Sequence, residues 1–99
     1  MHKLVVLYPE PADREAFAAY YESTHIPLTK QLPGVVASRY SLNVSGPESP
    51  YFAIFEAEFA DHAAFVAAVE SPEGQAVAAD VPNYATGGAQ IIDYPVNEV

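Results

Sequence analysis

Nine prolines and five glycines in 99 residues cut this chain into short pieces, and their positions decide what each piece can become. Proline cannot donate to a β-ladder and disrupts a helix interior, so each proline-rich stretch marks an end. Residues 3–8 form a β-rich run closed by Pro9-Glu10-Pro11, which predicts a short, central strand. Asp13 then opens a helix as its cap, with Glu15 at the positive end of the helix dipole. Phe17, Tyr21, His25 and Leu28 recur at spacings of four, four and three, which places them on one helical face. Pro27 lacks the amide that would bond the Ser23 carbonyl and pushes Ile26 toward extended geometry, so a kink or break is expected at residues 24–26.

Gly34 follows Leu32-Pro33 as a helix stop, and residues 35–44 read as a second strand. Residues 45–50, Ser-Gly-Pro-Glu-Ser-Pro, are turn chemistry throughout and join two antiparallel strands. In the next strand, residues 51–59, Tyr51, Ala53, Phe55, Ala57 and Phe59 alternate onto one face, against Phe52, Ile54, Glu56 and Glu58. The second face turns from apolar to acidic halfway along, which suggests partial cover from outside the subunit. Asp61 caps an alanine-rich helix carrying Phe65 and Val69, and Ser71-Pro72-Glu73 restarts a helical turn that runs to about Asp80. A loop at 81–84, a Gly87-Gly88 joint and a last strand at 89–94 complete a β-α-β-β-α-β order.

That order predicts an α+β, ferredoxin-like domain over residues 1–99. Right-handed crossovers place both helices on one face of a four-stranded antiparallel sheet. The other sheet face is left bare. Hydrophobic residues make up 51% of the chain and charged ones only 17%, an apolar balance that a homodimer would relieve by packing two sheets face to face. The net charge of −9 repels polyanions, so nucleic acid is not an expected partner. No stretch approaches the roughly 20 apolar residues that span a bilayer. Nor do the first residues have the apolar length of a signal peptide, so no membrane partner and a cytoplasmic location are expected. The absence of cysteine removes disulfides, thiolate metal sites and a thiol nucleophile.

Several stretches carry a family resemblance. Leu7-Tyr8-Pro9, Phe17 with Tyr20-Tyr21, His25-Ile26-Pro27-Leu28 and Leu32-Pro33-Gly34, followed by Ser71-Pro72-Glu73-Gly74, Asp80 and Asn83-Tyr84, resemble the EthD family. The resemblance covers nearly the full chain, and His-x-Pro-Leu followed by Leu-Pro-Gly is its most specific part. It implies a dimeric α+β barrel, a fold shared with cofactor-independent monooxygenases, muconolactone-type isomerases and polyketide cyclases. The family takes its name from a gene cluster for ethyl tert-butyl ether degradation, and the fold alone leaves the reaction open.

Among single residues, His25 is the catalytic candidate: an imidazole on an otherwise apolar helix face, able to give or take a proton near neutral pH. The alternative is a half-buried histidine bonded to a carbonyl freed by Pro27. Tyr8, Tyr21 and Tyr40 could each offer a ring to a hydrophobic substrate and a hydroxyl to its oxygen, with Phe17, Leu28 and Asn83 as further substrate-binding candidates. Asp80 and Asn83 read more simply as helix termination and an Asx turn. Glu56, inside an apolar strand, could serve as a general acid if buried, but is expected instead to form a structural pair with Arg39 on the neighbouring strand. His2, His25 and His62 are scattered and lack metal-ligand spacing, and no glycine-rich phosphate loop occurs, so no metal and no cofactor are expected. The function these residues point to is a cofactor-independent lyase, isomerase or monooxygenase acting on a hydrophobic, oxygen-bearing aromatic or polyketide-like molecule. The alternative is a non-catalytic binding or accessory protein for such a metabolite.

Overall fold

A computed structural model describes all residues, Met1–Val99. Its elements run β1 (His2–Pro9), α1 (Arg14–Tyr20), a π turn (Tyr21–His25), α2 (Ile26–Thr29), β2 (Val35–Ser41), β3 (Tyr51–Phe59), α3 (His62–Glu70), α4 (Pro72–Asp80), a 3₁₀ turn (Val81–Asn83) and β4 (Gln90–Pro95). The four strands form one antiparallel sheet in the order β2-β3-β1-β4. This is the ferredoxin-like α+β fold expected, with β1 central. The extents of 36 × 34 × 17 Å fit one sheet plus one layer of helices of roughly 10 Å diameter.

The helix layer covers one sheet face because alternate strand residues point to opposite sides. Leu4, Val6 and Tyr8 of β1 lie opposite Ala57, Phe55 and Ala53 of β3, and these form the inner face. Lys3, Val5 and Leu7, with Ile54, Glu56, Glu58, Ile92 and Tyr94, face the uncovered side. On that side Lys3 Nζ lies 3.3 Å from Glu56 and 3.7 Å from Glu58. Arg39 lies 3.9 Å from Glu58, so the expected Arg39–Glu56 pair is replaced by Lys3–Glu56. Lys3 reaches Glu56 from the central strand, on the other side of β3 from Arg39.

Strict alternation fails at one point. The register shifts between Tyr8 and Pro9, whose partners are Ala53 and Tyr51, and Phe52 is skipped as a bulge. Phe52 therefore turns inward, edge-on to Phe17 at 5.2 Å and with the Arg14 guanidinium over its ring, although alternation places it outward. The same shift sends the Tyr51 hydroxyl to Gln90, across from the outward Leu7. Strand β2 ends at Ser41 rather than at Val44, because the Ser41 hydroxyl accepts from the Asn43 amide and turns the chain.

The caps behave as their residue types dictate. Asp13, Asp61 and Ser71 accept from the backbone amides of Ala16, Ala64 and Gly74 at the starts of α1, α3 and α4. Gly34 takes φ +74°, the left-handed geometry that closes the first helical segment. Gly74 is needed for a different reason: a Cβ there would collide with the Ala68 carbonyl and come within 2.7 Å of the Val69 oxygen, so α3 and α4 meet through backbone.

The irregularity expected at residues 24–26 is a π turn over Tyr21–His25 rather than a chain break, and Ile26 is not extended. Ile26 is helical (φ −57°, ψ −42°), and its amide bonds the Tyr21 carbonyl five residues back. The wider turn changes the hydrogen-bond register just before the residue that has no amide, so Pro27 enters α2 at a position where its missing donor is tolerated.

Candidate functional site

The π turn places His25 beneath the helix layer. Phe17, Tyr21 and His25 form a column of stacked rings at spacings of four residues, with centroid separations of 5.4 and 5.3 Å. Tyr84, just past the 3₁₀ turn, packs against all three, its ring 4.6 Å from that of His25. Tyr8 rises from the central strand into the same cluster and shares a 2.6 Å hydrogen bond with the Tyr84 hydroxyl. The Tyr21 hydroxyl is fully buried among these rings without a hydrogen-bond partner.

His25 is 2% exposed, and its Nδ1 lies 2.9 Å from Oδ2 of Asp80, itself 8% exposed. The other carboxylate oxygen accepts from the Tyr20 hydroxyl at 2.6 Å and from the Asn83 side-chain amide at 2.9 Å. Asp80 ends α4, where the helix dipole disfavours an anion. Burial pushes its carboxyl pKa up, but the hydrogen bonds from Tyr20, Asn83 and His25 outweigh that and hold it below the ordinary value. For His25 burial dominates and lowers the imidazole pKa, while the Asp80 bond and charge partly oppose it. At neutral pH the pair is therefore a carboxylate beside a neutral imidazole. An ionised carboxylate only accepts, so Nδ1 carries the proton and Nε2 is left with its lone pair.

Against His25 lies a cavity of about 150 Å³ between the sheet and α2, α3 and α4. Thirteen of its sixteen lining residues are hydrophobic, including Leu4, Val6, Phe55, Phe59 and Phe65. The other three are His25, Thr29 and Gly74; of the polar side chains on the wall, the Thr29 hydroxyl donates to the Ile26 carbonyl at 2.7 Å and the Tyr8 hydroxyl is bonded to Tyr84, which leaves the imidazole, through Nε2, as the group without a second commitment. Ile91 of edge strand β4 lines the cavity and is 60% exposed, which sets the opening on that side.

The structure distributes the expected substrate-binding residues unevenly. Tyr8 lines the cavity beside His25. Tyr21 lies behind it in the ring column. Phe17 and Asn83 line a separate recess of about 240 Å³ with Tyr20 and Tyr84. Tyr40 is 40% exposed, donates to Glu22 at 2.7 Å and meets only the edge of Tyr21. Leu28 does not line the cavity. With helical phase continuous through Pro27, the residue four after His25 is Thr29, and it lines the cavity in the place expected for Leu28.

Sequence reasoning also passed over two features. Asp80 is the buried partner of His25 as well as the end of a helix, and Tyr20, off the apolar face, is one of its donors. A polar residue at the end of α4 three before Asn83 was the available signal, but its approach to His25 spans 55 residues. Likewise the histidines are not all scattered: the rings of His2 and His62 stand 4.9 Å apart, with Asp93 2.7 Å from His2.

The EthD domain family model matches residues 9–88, from the end of β1 through His25 and Asp80 to the loop before β4. An uncharacterized 11.0 kDa protein from the thcB-thcC intergenic region of Rhodococcus erythropolis is 38% identical over 95 residues, covering 93% of this chain and 91% of that protein. The crystal structure of an ethyl tert-butyl ether d (EthD) family protein of Bacillus halodurans C-125 superposes with a TM-score of 0.90 at 30% identity, over 98% of this chain and 99% of that one. A dimeric ferredoxin-like protein of unknown function from Jannaschia sp. CCS1 gives a TM-score of 0.68 at 23% identity, over 96% of this chain and 97% of that one, a likeness of fold. No helix of this chain is long and apolar enough to cross a membrane. With the family model spanning the whole helix layer and a relative of nearly equal length at 38% identity, the chain belongs to the EthD domain family.

Proposed function

We propose that this protein is a small enzyme in which His25 acts as a general base, and then as a general acid, on a hydrophobic, oxygen-bearing molecule held in the cavity. The supporting observation is the Asp80–His25 pair, a charged orienter under a neutral imidazole at the wall of an apolar hollow. In that arrangement Nε2 removes a proton from the substrate, and the imidazolium formed is stabilised by the carboxylate at 2.9 Å. The same imidazole returns the proton to another atom of the substrate, which is the pattern of an isomerase or lyase and needs no cofactor. The size of the hollow, about 150 Å³, supports a substrate that presents about one aromatic ring to it, since a cavity of roughly this volume accommodates benzene. With Tyr84 donating within the hydroxyl pair, Tyr8 would be free to donate to a substrate oxygen, while Thr29, whose proton goes to the Ile26 carbonyl, could accept from a substrate hydroxyl.

The working unit in this reading is a homodimer formed through the uncovered sheet face. Val5, Leu7, Ile54, Ile92 and Tyr94 make one part of that face apolar, and the related Jannaschia protein is described as dimeric.

The test is turnover of a panel of cyclic ketones and phenols by wild-type protein and by His25→Ala and Asp80→Asn variants whose fold is checked by circular dichroism. Loss of turnover in both, with the substrate still bound, is the expected result. Equal turnover in folded His25→Ala removes His25 from the reaction. Recovery of every bound compound unchanged from wild-type protein would make the cavity a carrier site instead.

A further inference from the structure

His2 begins β1, His62 begins α3 and Asp93 lies in β4, so three elements converge on one point. Tyr8, which lines the cavity with His25, is six residues from His2 along β1, so this point lies at the other end of the strand, with Phe65 between it and the cavity. One ligand atom from each of the three residues, two imidazole nitrogens and a carboxylate oxygen, lies within 4.8 Å of the other two. We propose that His2, His62 and Asp93 form a binding site for a borderline divalent first-row metal ion, of the zinc, cobalt or nickel kind.

The donor set decides the metal class. Two imidazoles and one carboxylate suit Zn²⁺, Co²⁺, Ni²⁺ or Cu²⁺, whereas Mg²⁺ and Ca²⁺ call for all-oxygen shells. Metal–ligand bonds of about 2.0–2.1 Å place tetrahedral ligand atoms roughly 3.3 Å apart, so donors now within 4.8 Å need to close by at most about 1.5 Å, while the His2–Asp93 contact at 2.7 Å opens slightly. The adjustment falls on the exposed partners: His2 is buried and bonded to Asp93 at 2.7 Å, while His62 and Asp93 lie at the surface. Phe65 packs on both rings, 5.1 Å from His2 and 6.0 Å from His62, and keeps the two imidazoles side by side on an apolar base. Three protein ligands leave a fourth tetrahedral position open to water or a small anion. Because β1, α3 and β4 are brought together only by folding, the ion would bind the native state and stabilise it.

The experiment uses the full-length, untagged chain, freed of metal by a chelator and titrated with Zn²⁺ and, separately, Co²⁺. One equivalent of either ion should bind saturably, with intense visible bands for tetrahedral Co²⁺. A hundredfold excess of Zn²⁺ over its dissociation constant should raise the folded-to-unfolded ratio about 100-fold and the melting temperature by roughly 10–20 degrees. His62→Ala and Asp93→Asn, both at exposed positions that leave the core intact, should each weaken binding at least about tenfold. His25→Ala should leave binding unchanged. The proposal is overturned if neither ion binds saturably, if both variants retain wild-type affinity, or if binding depends on His25.

Discussion

Replacing Asp80 by Asn removes one charge and almost no volume, and its consequences follow from the three hydrogen bonds the carboxylate accepts. Tyr20 and Asn83 both donate to Oδ1, so the carboxamide oxygen takes that position and the amide nitrogen takes the place of Oδ2, facing Nδ1 of His25. Two donors cannot face each other. His25 must shift its proton to Nε2 and accept at Nδ1, which leaves no lone pair for the cavity. The Tyr20 and Asn83 bonds change from charge-assisted to neutral at a loss of about 1 kcal/mol each, partly offset by removing an anion from the C-terminal end of α4. The net cost is about 1–2 kcal/mol, or a fall in melting temperature of roughly 5–15 °C for a domain of this size. Long-range ¹H–¹⁵N correlation spectra at neutral pH should show His25 with Nδ1 protonated in the wild type and with Nε2 protonated in the variant. One tautomer common to both proteins would refute the orienting role of Asp80, whatever happens to the melting temperature.

The same core makes further tests available. Tyr8→Phe strands the buried Tyr84 hydroxyl and should cost about 1–3 kcal/mol, while Tyr8→Phe with Tyr84→Phe should recover most of that in a denaturant double-mutant cycle; additive losses would contradict the pairing. Tyr21→Phe deletes a fully buried hydroxyl with no partner within hydrogen-bond distance and only the Tyr8 hydroxyl as a near neighbour, so chemical denaturation should find it neutral or more stable than wild type, and a loss above about 1 kcal/mol would show that the two hydroxyls are bonded. Stability should fall with acid in two stages. A histidine held below its ordinary value of 6.5 contributes fully above that pH, and its share is lost as the pH drops below 6.5 toward the folded-state value. Asp80, held below the ordinary carboxylate value of 3.8, follows in stronger acid. In His25→Gln the first stage should shrink; an unchanged melting-temperature profile would assign it to other groups. Ile92→Asp puts a charge on the uncovered sheet face at a 47% exposed position, and sedimentation should convert a wild-type pair to monomers without loss of fold.

What the sequence made legible is what local chemistry dictates. Asp13, Asp61 and Ser71 each cap the helix they precede, and Gly34 stops one, so the order of elements could be read from single residues. The misreadings came where neighbours decide. Phe52 belongs to a bulge set by its pairing with β1, and strict alternation sent it to the wrong face. Pro27 points to an irregularity because its missing amide is visible in the sequence, but the five-residue hydrogen bond that makes it a π turn, with Ile26 still helical, is not. His25 could be picked out as the polar member of an apolar helix face, but Asp80 reaches it across 55 residues and His2 meets Asp93 across 91. Contacts of that separation are products of the sheet order and leave no local pattern.

Stability alone gives little reason to keep Asp80 and His25 where they are. Taking a carboxylate out of water costs several kcal/mol, and its position at the end of α4 sets it against the helix dipole. Replacing a buried polar pair by apolar side chains of similar volume is often neutral or stabilising by about 1–4 kcal/mol, and the surrounding rings of Tyr21 and Tyr84 would pack readily on such a replacement. A variant that also removes the half-buried donor, Asp80→Leu/His25→Leu/Tyr20→Phe, and leaves the exposed Asn83 amide to water, should therefore melt within a few degrees of the wild type or above it, and a large loss of stability would argue for a structural network. The arrangement supplies something an apolar core lacks: a neutral imidazole with a defined tautomer, facing a hollow that contains almost no other polar group. In the proposed reaction, an imidazolium formed in such a low-dielectric setting would be stabilised chiefly by the carboxylate 2.9 Å away, which would give a reason for burying the charge beside the base.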